Sequence, residues 1–385
     1  MTTISEEKVL HLPERIRLAS RRPKTLGAAV PGAVSLAMGE PDGDTPAEVV
    51  DAAIRALQAG RTRYSPITGS LDLRQELAAH LSAATGRALE AENIVVSHGG
   101  SGGLAAAVLA LIGPGDRVLI PEPTYSLYAD QVAMVGARAE WIANRPDGSL
   151  DLERLATSAP GARMIILCNP VNPTGAVFGG EQLAGLADIL RTNPDLFVLS
   201  DEAYSDIVFD GLTFQSAITV EESMDRVILA GTFSKSYAMT GWRLGFVAAA
   251  PEIAASINLV HRTINGAMNT FIQDAALAAL RIPDRDLRER TRGYERRRDL
   301  VLRHLEGLDR VTLVRPEGAF YAFPRIESTL SSDELVGRFA DGGVLVRAGS
   351  EFGPSGEGHV RLSFATDDAS LEEGLRRFAD VVRLL

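Results

Sequence analysis

Short apolar runs alternate with longer stretches of helical periodicity through the first two-thirds of the chain. Seven of these runs are predicted to be strands, at residues 93–97, 117–121, 138–142, 163–168, 196–200, 226–231 and 243–249. Their apolar faces are nearly continuous, which is typical of strands covered on both sides. Helical segments such as 102–112 and 181–192 lie between them. The pattern predicts an α/β fold with a mainly parallel seven-stranded sheet.

The pattern changes after about residue 280. A long arginine-rich helical segment, 284–308, is followed by short strand-like pieces: GAFYAFP, GVLVRAG and HVRLSFA. This change predicts a smaller α+β domain, against which the first 40 or so residues also pack. We therefore expect a large domain at residues 45–280 and a small domain made of residues 1–44 and 281–385.

Composition limits the class of protein. The 385 residues suggest two domains, and the net charge of −11 argues against nonspecific nucleic-acid binding. No apolar run reaches the roughly 18 residues of a membrane-spanning helix. The first twenty residues lack the apolar core of a secretory signal. The single cysteine, Cys168, excludes an internal disulfide framework, so we expect a cytoplasmic protein.

Four polar clusters directly follow predicted strands, at the edge where open parallel sheets bind ligands. They are SHGGSGG (97–103), NPVNPTG (169–175), SDEAY (200–204) and TFSK (232–235). Taken singly, each has a structural explanation, because aspartate caps helices and glycine-rich or NPTG sequences form turns. Their coincidence at one edge of the sheet predicts a single shared ligand.

The chemistry of the clusters indicates what that ligand is. The glycine-rich cluster opens a predicted helix, whose free N–H groups suit a phosphate, yet it lacks the lysine of a Walker sequence. Lys235 is one of only three lysines among 39 basic residues, and its amine can form a Schiff base with an aldehyde. Asp201 supplies a negative charge for a cationic ring nitrogen. Together these groups indicate pyridoxal 5′-phosphate (PLP); we expect no metal.

The sequence also resembles the fold type I PLP enzymes, specifically the class I/II aminotransferases of the aspartate-aminotransferase-like group. The resemblance runs through nearly the whole chain, in the segments MGEPDGDTP, RYSPITGSLDLR, SHGGSGGL, IPEPTYSLY, NPVNPTG, SDEAYSDIVFDG, TFSKSYAMTGWRLGF, RPEGAFYAFP and GHVRLSFA. It implies a PLP-dependent aminotransferase that moves an amino group between an L-amino acid and a 2-oxo acid in a ping-pong cycle.

The resemblance also implies the role of each matching residue. The catalytic residues are Lys235, which holds the cofactor and moves the proton, Asp201, which pairs with the ring nitrogen, and Tyr204, which contacts the ring oxygen. The other cofactor-binding residues are Gly100, Ser101, Tyr125, Asn172, Thr232, Ser234, Arg243 and, from the neighbouring subunit of a homodimer, Tyr64. Arg361, Asn172 and the backbone at Gly39 bind the substrate carboxylate. Taken alone, Tyr64 reads as a surface aromatic, Tyr125 as a packing residue and Arg361 as an ordinary strand residue.

The chain departs from the family pattern in ways that bear on the substrate. His98 and Val171 replace two asparagines without affecting the core chemistry. Ser101 stands where members adapted to dicarboxylic substrates carry lysine, and Gly43 replaces an aromatic residue. We expect an enzyme that is not specialised for aspartate. Carboxylates in the 40–44 loop would suit a substrate with a long polar or cationic side chain. If these carboxylates instead cap the following helix or face solvent, a bulky neutral substrate is the alternative.

Two other functions compete with transamination. A PLP-dependent lyase, decarboxylase or oxidase would use the same cofactor motifs. It differs from an aminotransferase in turning over without a 2-oxo acid acceptor. The effector domain of a transcription regulator would require about 60 additional N-terminal residues, whereas the strand signals begin too early for them.

Overall fold

The structure is a computed structural model that describes residues 11–22, 31–220 and 225–385. Its main feature is a seven-stranded sheet with the order β2-β8-β7-β6-β5-β3-β4. These strands are β2 (Ile94–Ser97), β3 (Arg117–Glu122), β4 (Arg138–Ala143), β5 (Met164–Cys168), β6 (Phe197–Asp201), β7 (Val227–Thr232) and β8 (Gly245–Ala248). Strand β8 is antiparallel to both of its neighbours, and the other pairs are parallel. All seven predicted strands are confirmed, with ends within two residues.

Helices follow the strands, as the crossover pattern predicts. They are α1 (Leu12–Ala19), α2 (Ala47–Gln58), α3 (Leu71–Thr85), α4 (Gly99–Leu111), α5 (Leu127–Met134), α6 (Leu152–Ser158), α7 (Gly180–Thr192), α8 (Pro251–Asn265), α9 (Thr270–Ala279), α10 (Asp284–Leu305), α11 (Ser332–Asp341) and α12 (Asp368–Arg383). Apolar clusters fill both sides of the sheet. All five side chains of β5 are buried, because this strand lies between β3 and β6 and is covered on both faces.

The C-terminal part builds a separate group of short strands. They are β9 (Val311–Thr312), β10 (Tyr321–Ala322), β11 (Arg325–Ile326), β12 (Val344–Leu345), β13 (Arg347–Ala348) and β14 (Val360–Ser363), together with β1 (Val34–Ser35) from the N-terminal part. A distinct apolar core lies among them, in which Phe339 stacks on Phe378 with 4.3 Å between the ring centroids. Strand β1 pairs with β12, so the chain before residue 45 joins the C-terminal part there.

Helix α1 packs against a different part of the molecule from β1. It packs against α5, beside the large sheet, and Arg15 donates to the carbonyl of Met134 at 3.3 Å. The N-terminal segment thus contacts both parts of the molecule.

Among the helices of the described residues, we find none that combines the length and the apolar character needed to cross a bilayer.

Candidate active site

A cavity of about 600 Å³ opens where β5, β6 and β7 end, and it collects nearly all the predicted site residues. The predicted residues that line it are Gly39, Gly100, Ser101, Tyr125, Asn172, Asp201, Tyr204, Thr232, Ser234, Lys235, Arg243 and Arg361. Nine of them come from the four polar clusters and from β14, and the other three, Gly39, Tyr125 and Arg243, come from loops. Because parallel strands bring their carboxyl ends to one edge, residues as far apart in sequence as Gly100 and Lys235 meet here.

Lys235 follows β7 and projects its amine into the cavity. Its Nζ donates to the carbonyl of Gly39 at 2.7 Å and lies 5.7 Å from the ring centroid of Phe320. Burial, reinforced by the positive charges of Arg361 and Arg243, lowers the pKa of Lys235 to about 8, although Glu40 and Asp201 act in the opposite direction. About a tenth of this amine is therefore neutral and nucleophilic at pH 7, whereas the ordinary lysine pKa of about 10.4 would leave well under a thousandth neutral.

Asp201 ends β6 as a buried carboxylate. Its Oδ2 accepts from the hydroxyl of Tyr128 at 2.7 Å, and its Oδ1 accepts from the amide of Ala203 at 3.3 Å. Burial raises the pKa of Asp201 to about 6, because these hydrogen bonds offset only part of the desolvation cost. A buried carboxylate in this position would be stabilised by a cationic partner.

Tyr128 is a site residue that the sequence analysis missed. It is fully buried on α5 and meets Tyr125 edge to face, with 5.6 Å between ring centroids. The available signal was its spacing, since residues three apart share a helix face. That spacing alone does not indicate a contact with Asp201, which lies 73 residues away.

An anion cradle lies at the start of α4. Gly99 has a φ of +70°, and an added Cβ there would lie 2.6 Å from Nη2 of Arg243, so the guanidinium passes directly over the turn. On the other side, Thr232 Oγ1 lies 2.9 Å from Ser234 Oγ. Free N–H groups, two hydroxyls and one guanidinium converge here, as at other phosphate sites of helix N-termini.

Arg361 is a buried cation without a carboxylate partner within 4.0 Å in the described part of the chain. Its Nη1 donates to Oδ1 of Asn172 at 3.3 Å, its Nη2 donates to the carbonyl of Ala37, and its Nε has no partner. The guanidinium lies over the ring of Tyr321 at 4.6 Å. Burial lowers the pKa of Arg361. An anion entering the cavity would satisfy this charge.

Tyr321, in the segment RPEGAFYAFP, is a second site residue that the sequence analysis missed. Its hydroxyl lies 2.8 Å from that of Tyr204, and both side chains are buried. A side chain at Gly39 would collide with the Tyr321 hydroxyl, which explains why glycine is required where the loop passes the cavity. Arg22 and Arg347 also line the cavity without having been predicted.

Some predicted features do not reach the cavity. Tyr64 is 97% exposed and lies outside it. Glu40 lines the cavity and accepts from the hydroxyl of Thr240, whereas Asp42 pairs with Arg297 at 2.7 Å. Gly43 does not line the cavity, and a Cβ there would meet no described atom within 4 Å; that the missing aromatic ring opens the side-chain pocket stays a prediction.

The residues present fit PLP at each of its functional groups. The cradle at α4 suits the phosphate, and the half-buried amine of Lys235 suits the aldehyde. The strongest indication is Asp201, a carboxylate whose burial at the cavity raises its pKa. A cationic ring nitrogen beside it would stabilise its charged form.

Comparison with known proteins agrees with this geometry. The family described as Aminotransferase class I and II matches residues 31–378. A probable aspartate aminotransferase of Methanocaldococcus jannaschii is 34% identical over 89% of this chain and 91% of its own length. An arginine–pyruvate transaminase of Pseudomonas aeruginosa is 37% identical over 89% of this chain and 88% of its own.

Solved structures lead to the same family. The aromatic aminotransferase from Pyrococcus horikoshii superimposes with a TM-score of 0.90 at 34% identity, covering 97% of this chain and 99% of that one. The chain therefore belongs to the class I and II aminotransferases, and it is a PLP-dependent enzyme that transfers an amino group between an amino acid and a 2-oxo acid.

Proposed function

We propose that this aminotransferase works through Lys235, Asp201 and Arg361 as its catalytic base, ring-nitrogen partner and carboxylate clamp. The proposal rests on three groups that line one cavity beside an anion cradle: a half-buried amine, a buried carboxylate and a buried guanidinium with no carboxylate partner among the described residues. PLP, when bound, supplies an aldehyde for the substrate amine and an electron-withdrawing ring that stabilises negative charge at the substrate Cα.

Lys235 is the proposed proton carrier. Its Nζ would carry a proton from the substrate Cα to the aldehyde-derived carbon of the cofactor in the amino-acid half-reaction, and from that carbon back to the Cα in the 2-oxo-acid half-reaction. A lowered pKa supports this role, because a base is most effective when its pKa lies near the working pH. The carbonyl of Gly39, which also lines the cavity, accepts a hydrogen bond from the free amine at 2.7 Å.

Asp201 and Tyr204 are proposed to hold the cofactor ring. Asp201 keeps a proton on the ring nitrogen, and Tyr128 keeps Asp201 ionised and oriented through the 2.7 Å hydrogen bond. Tyr204 and Asn172 donate to the ring oxygen, while Tyr125 covers one face of the ring. Gly100, Ser101, Thr232, Ser234 and Arg243 bind the phosphate.

Arg361 is proposed to bind the substrate α-carboxylate in a two-pronged ion pair. Asn172 orients the guanidinium, and Tyr321 packs beneath it. This clamp fixes the substrate so that its Cα faces Lys235, which reduces the entropic cost of proton transfer.

The active unit is proposed to be a homodimer with shared sites. Val50, Ile54 and Leu57 form an exposed apolar face on α2, at helical spacing, and exposed Ile67 and Leu71 follow next to Tyr64. A face of this kind is typical of subunit interfaces. It supports the proposal that Tyr64 reaches the phosphate of the neighbouring subunit.

The domain division and the location of the enzyme are also proposals. The separate apolar core of the C-terminal part supports a large domain at 45–280 and a small domain at 281–385 joined by β1, with α1 assigned to the large domain because it packs on α5. The single cysteine, Cys168, supports a cytoplasmic location.

The substrate side chain is proposed to be long and polar or bulky, without specialisation for aspartate. Ser101 occupies the place of a lysine that would meet a distal carboxylate, and Glu40 puts a negative charge at the cavity. One observation favours the opposite choice, an acidic side chain. Arg22 also lines the cavity, and its nearest described carboxylate, that of Asp130, lies 3.7 Å from its Nε, beyond hydrogen-bond distance, so its positive charge is incompletely neutralised.

Two matched variants separate these substrate classes. Glu40→Gln should lower kcat/KM for arginine-like donors about tenfold, or about 1.4 kcal/mol, and leave aromatic donors unchanged. Arg22→Gln should leave both unchanged. If Arg22→Gln instead lowers kcat/KM for aspartate or glutamate tenfold and Glu40→Gln has no effect, the substrate is acidic.

The assignment of Lys235 is tested by replacing each lysine in turn. The chain has three, so Lys8→Ala and Lys24→Ala serve as matched controls. Lys235→Ala should abolish turnover with every donor, while the two controls keep wild-type turnover. Wild-type turnover in Lys235→Ala would overturn the proposal.

A further inference from the structure

The turn that begins α4, residues 97–101, is fixed in place by side chains that lie away from the cavity. Within the turn, Ser97 Oγ donates to the carbonyl of Gly99 at 3.0 Å. From α8, Nε2 of His261 accepts from the backbone N–H of His98 at 3.2 Å. From α5, Nε2 of Gln131 donates to the carbonyl of Ser101 at 3.1 Å. We call residues 97–101 the phosphate turn.

His261 selects which N–H groups of the phosphate turn remain available. The N–H groups at the start of a helix have no acceptor within the helix. His261 takes the N–H of His98, and among the described residues no acceptor meets those of Gly100 and Ser101. The two groups proposed to bind phosphate are thus left free while the neighbouring one is held.

The environment of His261 is specific to this task. The side chain is fully buried, and its ring stacks on that of His98 with 5.2 Å between centroids. Nε2 also lies 3.3 Å from Nδ1 of His98. When Nε2 accepts from the His98 N–H, the ring proton of His261 is on Nδ1, which has no partner in the described chain. An apolar side chain would fill this space without a buried unpaired N–H, but it would not hold His98.

Gln131 holds the other end of the turn. It is buried on α5, and α5 also carries Tyr128, whose hydroxyl donates to Asp201. One helix therefore connects the carboxylate proposed for the ring nitrogen with the turn proposed for the phosphate. The distance between Asp201 and the phosphate turn therefore depends on the position of α5.

We propose that His261 and Gln131 are positioning residues for the cofactor phosphate, acting through the backbone of the phosphate turn without touching the cofactor. The proposal rests on the proposed function, in which Gly100, Ser101 and Arg243 bind that phosphate. Neither residue is needed for the amine chemistry at Lys235.

The test compares the affinity of the full-length apoenzyme for PLP with its affinity for pyridoxal, which has the same aldehyde but no phosphate. His261→Leu, which removes the acceptor, should reduce the preference for PLP over pyridoxal at least tenfold. His261→Gln, which restores an acceptor oxygen, should recover much of it. Gln131→Met should act in the same direction and decides the matter if His261→Leu does not fold.

Asn258→Leu is the matched control, because Asn258 is a buried polar residue one turn earlier on α8 whose Oδ1 has no hydrogen-bond partner in the described chain. It should leave the preference unchanged. Arg243→Ala tests the underlying site. If Arg243→Ala lowers the preference but the His261 and Gln131 variants do not, the inference is overturned; if Arg243→Ala has no effect, the proposed phosphate site itself is wrong.

Discussion

Asp201 and Glu202 are adjacent buried carboxylates with different surroundings. Asp201 lines the cavity and meets Tyr128, whereas Glu202 accepts from Ser200 and Ser216 at 2.9 Å each, away from the active-site cavity. Burial raises both pKa values, to about 6 and about 7. The pair provides an internal comparison between a carboxylate that serves the cofactor and one that does not.

Asp201→Asn should slow turnover by roughly a hundredfold or more while changing the melting temperature little. Losing one member of a buried ion pair costs about 3–5 kcal/mol, and each 1.36 kcal/mol is about tenfold in rate. Glu202→Gln, its control, should leave the rate near wild type. A mild rate effect in Asp201→Asn with a clear loss of thermal stability would show instead that Asp201 has a structural role, through its hydrogen bonds with Tyr128 and Ala203.

The lowered pKa of Lys235 predicts how PLP uptake depends on pH. Only the neutral amine can attack the aldehyde, and with a pKa of about 8 the neutral fraction rises about tenfold per pH unit below that value. The rate of PLP uptake by apoenzyme should therefore increase up to about pH 8 and then level off. Stopped-flow absorbance measures this; an increase that continues to pH 10 would contradict the lowered pKa.

At the scale of elements, α8 links the phosphate turn to the pH dependence of stability. Burial lowers the pKa of His261 to about 4, below its value of about 6.5 in unfolded chains. The neutral ring therefore contributes stability that is fully present above about pH 6.5 and is lost as the pH falls towards 4, by up to about 3 kcal/mol.

The free energy of unfolding of wild type and of His261→Gln, measured between pH 4 and 7, isolates this contribution. The two curves should converge as the pH falls, because the variant has no group to protonate at this position. Burial raises the pKa of Glu202 to about 7, so the stability that its protonated form contributes is lost as the pH rises through about 7. This contribution is the same in both proteins and therefore cancels in the comparison. Parallel curves would contradict a neutral buried His261.

Sequence reasoning located the elements better than the contacts between them. Strands such as β5 were predictable because a wholly buried strand is a short continuous apolar run. The polar clusters were predictable because parallel strands end at one edge. Tyr128 and His261 were not predictable, since each acts on a residue that lies 73 or 163 positions away in the chain. Neither local propensity nor periodicity carries that information.

At the scale of the molecule, the exposure of Tyr64 predicts shared active sites. Mixing an inactive Lys235→Ala chain with an inactive Tyr64→Ala chain should restore part of the activity, because hybrid dimers contain one site with both residues intact. Activity after verified subunit exchange measures this. Leu212, an exposed apolar residue outside the cavity, supplies a control variant, Leu212→Ala, that should be active alone. No recovery in the hybrid would count against shared sites.

The central claim is that Lys235 carries PLP, and borohydride reduction of the holoenzyme tests it most directly. Reduction makes the bond between lysine and cofactor permanent, and only three lysines can carry it. Peptide mass mapping should find the added mass on Lys235 alone, and addition of an amino donor before reduction should abolish the labelling. Cofactor mass on Lys8 or Lys24, or labelling of Lys235 that no amino donor prevents, would contradict the account.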